Sequence, residues 1–419
     1  MSLAEAALPS TTPYLDIFDA TPEPERWALV RSWCASEPAP FFAELRASRP
    51  VLDAGEVILV AKRTDVAEIL SLPSVFTVDL YKEKMGDFML ARDETTTNYR
   101  DKAVMRSFLS LDDLPKVRAM AGEIAAAELK AAGPSVEVVS TLSRRTPLRI
   151  VQRYFGIEGA DDAMLRWSFA NQVDQFNNLP FDGRPDAEAV SEAAKVARAE
   201  MVALLTALIP EKLRRLQQDP AIDDVFSRVL KTKFPDATGF GMERVVVNVG
   251  GLLIGAIETV SEAVVNALAY LLADKERASA ARAAANDPAA FDGHVWEALR
   301  FSPIVAFMFR KAAADHWLAA GTSRRVRIAA GRTVLPVSMS AMFDDDWVDE
   351  PEAFRPNRPA QTYMHFGQGH HECLGRYIGA MLIPEIVRQA LLHGTVRSVG
   401  EIDYAGTPFP ERFVLDYES

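Results

Sequence analysis

Residues 366–375, FGQGHHECLG, set Gly367, Gly369, His370 and His371 ahead of Cys373, immediately before an apolar helical run. The thiolate, not the thiol, is the metal ligand and nucleophile, and a cysteine at a helix start gains from the free N–H groups and positive end there. Gly367 and Gly369 allow sharp turns and a close backbone approach to a flat ligand, where a Cβ would collide. The chemistry this spacing suits is a thiolate held open to a planar, electron-poor partner. Two plainer readings stand beside it. A lone cysteine can be a small buried core residue, and His365, His370, His371 and Cys373 could form a zinc site, although the glycine spacing serves no metal cage.

A second candidate lies in GAIETV, residues 255–260. Glu258 and Thr259 put an acid beside a hydroxyl in an otherwise apolar stretch, and burying either without a partner is costly. Together they suit proton handling. A glycine inside a helix costs roughly 1 kcal/mol relative to alanine, so Gly255 reads as clearing space for a small ligand. Close helix packing is the alternative, and it accounts for Gly250 and Gly251 equally well. Glu297 and Arg300 lie three apart on one helical face, close enough to pair.

These residues need long helices to position them. Apolar periodicity predicts helices over 117–132, 187–216, 243–272, 287–300 and 375–392. The third would be about 45 Å long at 1.5 Å per residue. Short apolar runs at 51–53 and 56–61, split by Ala54-Gly55, predict a strand pair, and further strands are expected at 325–328 and 333–336 around a turn at 329–332. Residues 178–187 and 343–360, rich in Pro, Asp and Asn, predict long surface loops. The class is mainly α with a small β portion near 51–61 and 325–336, in a single domain spanning 1–419.

The chain has 419 residues, 49% hydrophobic and 25% charged, which is ordinary for a protein with a large buried core. A net charge of −12 disfavours a nucleic-acid partner. Two cysteines, Cys34 and Cys373, are too few for a disulfide scaffold and suit a reducing cytoplasm. The N-terminal residues show no basic segment followed by an apolar one, so no leader or anchor is expected. The most apolar run, 249–257, falls short of the roughly 18 residues a membrane span needs, and a buried core helix is expected instead.

Phe366, Gly367, Gly369, His371, Cys373 and Gly375 together resemble the haem-binding loop of the cytochromes P-450. The resemblance implies that Cys373 is the proximal ligand of haem b (iron protoporphyrin IX), favouring O–O cleavage, and that His371 donates to a haem propionate. Other family marks follow in the right order. WEALR (Glu297, Arg300) with PEAFRPNRP (Arg358) is similar to the family's buried Glu–Arg–Arg cluster, and Arg310 in RKAAAD to its propionate-binding arginine. Glu258–Thr259 match the acid–threonine pair that steadies dioxygen and relays protons. Three departures stand out. Ala256 replaces a glycine, Val260 replaces a common second hydroxyl, and Asn98 and Lys102 stand where a His and an Arg reach the propionates. Each of those two can still contribute, Lys102 as a point charge and Asn98 as one hydrogen-bond donor.

The resemblance implies a monooxygenase that inserts one oxygen atom from O₂ into a mostly apolar small molecule such as a terpenoid, steroid, fatty acid or polyketide. By family position Phe88, Met89, Val247, Gly251, Gly255, Val305, Phe307 and Phe409 line the substrate site. Asn171, Gln172 and Gln175 either orient one oxygen function or face water, the usual state of such residues. No iron–sulfur or dinucleotide motif occurs, so electrons must come from a separate ferredoxin or flavodoxin with its reductase. Arg100, Lys102, Arg106, Lys116, Arg118 and Arg376 could form the positive face that receives it. A monomer is expected. A peroxide-using or hydroperoxide-rearranging enzyme on the same scaffold is the first alternative, and a haem sensor or carrier the second.

Overall fold

A computed structural model describes residues 13–93 and 95–418. They form two compact units, one of residues to Leu80 with Trp296–Cys373, the other of Tyr81–Val295 with the residues from Leu374 onward.

The first unit is built on a five-stranded sheet. Val57–Val60, VILV, is buried along its whole length and pairs antiparallel with Val51–Asp53 and parallel with Thr333–Pro336, Val57 facing Thr333. Continuous apolar sequence is what a strand covered on both faces requires. Arg310–Ala312 and Phe76–Thr77 complete the order. The two strands expected around the turn at 329–332 do not pair with each other. Val326–Ile328 instead pairs with His316–Leu318 in a separate two-stranded sheet. Ile58, Val66, Ile69, Leu70, Phe76 and Met364 share one core, which holds the helix Arg63–Ser71 against the sheet.

The second unit is mainly helical, but it carries a sheet that the sequence reading did not foresee: Arg412–Tyr417 lies between Ser135–Glu137 and Val396–Asp403. The β portion therefore extends beyond 51–61 and 325–336. Helix Leu114–Ala132 packs on Arg376–Leu392, the helix that follows Cys373, and helix Asp161–Asn177 packs on both Ala187–Gln218 and Met242–Ala256. The long helix expected over 243–272 is two helices, Met242–Ala256 and Glu258–Leu272, interrupted at Ile257 (φ −93°, ψ −69°). The span Met242–Leu272 is long and apolar enough to cross a membrane by composition, yet 67% of its apolar window is covered by protein.

Gly122 sets the contact between the first two helices. A Cβ there would lie 2.7 Å from Glu385 Oε1, and that carboxylate, 2% exposed, accepts from Arg118 (3.0 Å), Arg388 (2.7 Å) and Gln389 (2.8 Å). Burial would raise the Glu385 pKa, but these donors hold it below the usual range. Gly122→Leu should lower unfolding stability by about 1–3 kcal/mol through overpacking. An unchanged urea midpoint would show that the helices can part without loss.

Candidate functional site

The cysteine loop is closed by its own backbone. Cys373 N–H donates to the Phe366 carbonyl (2.9 Å), Gly367 N–H to Met364 (3.0 Å) and Glu372 N–H to Gly369 (3.1 Å). Gly367 (φ +71°) and Gly369 (φ +75°) occupy the left-handed region, which only glycine adopts without strain. At Gly369 the space is closed as well, since a Cβ would sit 2.5 Å from the Leu70 carbonyl oxygen. Cys373 is half-buried and lies three residues before helix Arg376–Leu392, whose N-cap is Gly375. The other thiol, Cys34, is also half-buried, and burial pushes it up to about 12, which leaves it inert.

Around the loop, the Phe366 ring meets Trp296 edge-on at 5.8 Å, and His371, half-buried, meets the buried His370 at 4.8 Å. His365 is not a ligand candidate. Burial lowers its pKa to about 4, so the ring is neutral, stacks on Tyr363 and bonds through Nε2 to the Trp296 carbonyl (3.0 Å).

Glu297 and Arg300 are both fully buried, and Glu297 accepts from Arg300 Nη2 (2.7 Å), Arg358 Nε (2.9 Å), the Arg355 N–H (2.9 Å) and Tyr363 Oη (3.2 Å). Burial alone would raise the Glu297 pKa, and the two guanidiniums with the amide outweigh it and hold it down. Arg358 also donates to the carbonyls of Asp349, Glu350 and Ala353. Arg310 is 3% exposed at the start of its strand, with Nη1 on the Phe309 carbonyl (2.9 Å).

In the second unit, Asn98 and Lys102 lie on helix Thr95–Phe108, both buried. Asn98 already commits one of its two amide hydrogens. Its Nδ2 is engaged with the Met89 carbonyl (2.8 Å), while its Oδ1 has no partner among the described residues. The positive face also shrinks. Lys102 is buried, and Arg118 is neutralised by Asp292 (2.6 Å) and Glu385 (3.0 Å), so Arg106 and Lys116 are the members that stand exposed.

The break at Ile257 gathers the polar groups of the long apolar stretch. Carbonyls at a helix end need outside donors. Ile254 O accepts from Gln172 Nε2 (2.8 Å) and Ser168 Oγ (3.2 Å), and Gly255 O accepts from Thr259 Oγ1 (2.5 Å). Gly255 itself is open, with nothing within 4 Å of a built Cβ. Gly250 and Gly251 are packing glycines, because a Cβ would strike Met201 (2.9 Å) and the Phe88 ring (2.2 Å) respectively.

Glu258 is 1% exposed and accepts from Arg144 Nε (2.9 Å), whose other two nitrogens hold Glu411 (3.1 and 2.8 Å). Burial pushes Glu258 up to about 7 against the pull of Arg144, and Glu411 adds to the rise. Glu262, one turn on, is raised well above the usual range by burial and by Glu258. Arg144 also lies over the Phe169 ring (5.7 Å), which meets the buried Phe409 edge-on at 5.8 Å. Sequence reasoning missed Arg144 and Glu411, since no motif marks an arginine 114 residues away as the partner of Glu258.

Of the remaining substrate-lining candidates, Met89 is fully buried and Val247 half-buried in the second unit. In the first unit Val305 is exposed and Phe307 half-buried. Asn171, Gln172 and Gln175, read either as orienting an oxygen function or as facing water, are all buried on the helix Asp161–Asn177.

A family model described as "Cytochrome P450" matches residues 291–395. The vitamin D(3) 25-hydroxylase of Pseudonocardia autotrophica is 26% identical over 363 residues, covering 82% of this chain and 83% of its own. The cytochrome P450 monooxygenase PikC of Streptomyces venezuelae is 27% identical over 376 residues, covering 85% and 84%. Among solved structures, that of CalO2 superposes with a TM-score of 0.77 at 21% identity over 92% of this chain and 97% of that one. CYP109E1 from Bacillus megaterium, crystallised with testosterone, gives 0.74 at 19% identity over 95% and 100%. The fold is the one these structures share.

The Glu297 cluster makes a sharp prediction. Arg300→Met should cost about 3–5 kcal/mol by leaving a buried charge underpaired, and adding Glu297→Gln should recover part of that. A double variant as unstable as the sum of the singles would count against coupling. Gly369→Ala, which cannot be relieved because its obstacle is backbone, should lower the thermal midpoint more than Gly367→Ala, whose obstacle is the flexible end of Met308.

Proposed function

We propose that this chain, which belongs to the cytochrome P450 family of monooxygenases, binds haem b through Cys373 and inserts one oxygen atom from O₂ into a mostly apolar small molecule. The observation that carries the reading is the cysteine loop, a half-buried thiol on a backbone shaped by two positive-φ glycines. The donor set of the first unit suits a dianionic iron porphyrin: the Cys373 thiol, the buried guanidinium of Arg310, and His371 beside the cysteine. The missing Cβ at position 369 lets the loop lie against the Leu70 carbonyl, which fixes the path of the backbone toward Cys373.

When bound, haem supplies the oxygen chemistry itself. The protein supplies binding, shape and protons. Cys373 would ligate the iron, and Arg310, Lys102 and His371 would meet the propionates. Thr259, with its hydroxyl on the Gly255 carbonyl, holds a proton donor at the helix break. Glu258, poised near neutrality, can pass a proton to it from the Arg144–Glu411 side. Phe88, Phe169 and Phe409 would offer apolar surface, in keeping with a terpenoid, steroid, fatty acid or polyketide substrate.

Electrons would come from a separate ferredoxin or flavodoxin with its reductase, received near Arg106 and Lys116, in the cytoplasm and by a monomer. A peroxide-driven variant of the same chemistry has one specific support: Val260 is buried where a second hydroxyl is common, and Asn98 turns its amide to Met89.

The reduced protein with carbon monoxide should give the red-shifted Soret band of thiolate ligation, and Cys373→Ser should abolish it. With a reducing system and a substrate that binds, turnover should exceed that with hydrogen peroxide alone; the opposite ranking would establish the peroxide reading. Reversing Arg106 and Lys116 to Glu should slow reduction severalfold at low salt and little at high salt. Glu258 is protonated below about 7 and ionised above it. The share of reducing equivalents lost as peroxide should therefore rise as pH climbs through that value. Glu411→Gln removes a negative neighbour, so it should move the midpoint down; a midpoint that stays put would sever Glu258 from proton delivery.

A further inference from the structure

A run of touching rings leads away from the cysteine loop, and neither haem ligation nor proton delivery uses it. Trp296 sits beside the loop, edge-on to Phe366 at 5.8 Å, and the Phe366 carbonyl accepts the Cys373 N–H. Trp296 next meets the His365 ring at 5.8 Å, tilted by 31°, and His365 stacks on Tyr363 at 5.2 Å and 18°. These separations are those of contacting aromatic pairs, so the path is unbroken, and it lies wholly within the first unit.

Packing alone is a poor account of the rings chosen. Aliphatic side chains would fill the same space, whereas tryptophan and tyrosine are, with cysteine, the side chains that lose one electron most easily. The ring between them suits a bridge. His365 Nε2 is tied to the Trp296 carbonyl (3.0 Å), and burial lowers its pKa to about 4, so the neutral imidazole puts no positive charge beside a ring that must become electron-poor. The far end is equipped for the proton. A phenol gives up an electron readily only when its proton can leave, and Tyr363 Oη donates to Glu297 Oε2 at 3.2 Å. Against the raising effect of burial, Arg300, the Arg355 amide and Arg358 keep Glu297 ionised, and an oxidised phenol is a far stronger acid than any carboxylic acid. Tyr363 is half-buried, which leaves this end in touch with solvent.

We propose that Tyr363, His365 and Trp296 carry single electrons to the Cys373 loop, giving the protein a second activity: reduction of peroxide by one-electron donors of the ascorbate class. The proposal rests on haem ligation by Cys373 and goes beyond the monooxygenase reading. In each event one electron leaves Tyr363 by way of His365 and Trp296, the phenolic O–H bond breaks, and the proton passes to Glu297. A donor of the ascorbate class then returns the electron to Tyr363, and Glu297 returns the proton. Two such events, with two protons from solvent, reduce one hydrogen peroxide to two waters. Oxidising equivalents generated with no substrate in place are thereby drained before they damage the haem or its loop.

The test uses the haem-loaded full chain, verified first by its carbon monoxide band so that a failure of the haem reading is separately visible. Hydrogen peroxide is added without substrate, the mixture is freeze-quenched, and the radical is read by electron paramagnetic resonance. The wild-type chain should give a tyrosyl signal that narrows when the protein is made with ring-deuterated tyrosine. Tyr363→Phe should replace that signal by a tryptophan radical, and Trp296→Phe should lower the tyrosyl yield severalfold. With ascorbate present, both variants should bleach their haem severalfold faster per peroxide consumed. Tyr363→Phe also removes a hydrogen bond from Glu297. Trp296→Phe leaves that bond in place, so it separates electron transfer from a weakened fold. Should either variant fail to load haem, a spin-trap adduct mapped by peptide mass spectrometry on the wild-type chain should fall at Tyr363 or Trp296. The proposal is overturned if the wild-type chain gives no tyrosyl signal while its carbon monoxide band is intact, or if the signal survives Tyr363→Phe. It is equally overturned if the adduct lies only elsewhere, or if ascorbate protects both variants as well as the wild type.

Discussion

The cysteine loop can be placed only because one buried carboxylate is fully neutralised. Glu297, without contact to solvent, is paired with two guanidiniums and further bonded by a backbone N–H and a phenol. Those same arginines reach the carbonyls of Met342, Asp349, Glu350 and Ala353. The segment between the strand Thr333–Pro336 and the loop is largely irregular, and irregular backbone cannot satisfy its own polar groups. The charge cluster does that for it. Burying this many charges is no route to raw stability, since a packed apolar replacement would often serve as well. What the cluster gives is a single path for the chain into residues 366–373.

The second unit meets an opposite demand, for a helix that does not run through. An unbroken apolar helix would be the stabler element, but it would close its carbonyls into its own ladder. At Ile257 the ladder is interrupted, and side chains from elsewhere take over: Ser168 and Gln172 at Ile254, Thr259 at Gly255. Glu258, just past the break, is held by an arginine that it shares with Glu411. The sharing matters electrostatically. Burial is what lifts Glu258 to about 7 against the pull of Arg144, and the second carboxylate on that arginine adds to the rise.

The residues that were legible in the sequence are those whose meaning is local. The glycine and histidine spacing around Cys373, the i, i+3 pairing of Glu297 with Arg300, and the acid–hydroxyl step at Glu258–Thr259 can each be read within ten residues. Strand pairing was less so. The run at 325–328 looked like half of a hairpin with 333–336, and tertiary context instead gave each a different partner. The helix break had no proline to announce it, because it depends on Gln172 and Ser168 arriving from another helix. The carbonyl that Asn98 serves, at Met89, was hidden for the same reason, since it is fixed by a turn that carries no strong signal.

The contrast between Gln172 and Gln175 follows from this. Two glutamines three residues apart, equally buried, would look interchangeable to any reading of composition or periodicity. One is consumed by the fold, since the break that makes Thr259 useful leaves a carbonyl only a side chain can reach. Gln175 makes no hydrogen bond to a described residue, yet its amide is not sealed from solvent, whereas Asn171 Oδ1 one turn earlier is sealed and without a partner among the described residues. Burial taken residue by residue therefore does not separate a glutamine that the fold consumes from one that it leaves at a wet edge; only the carbonyl at Ile254 does.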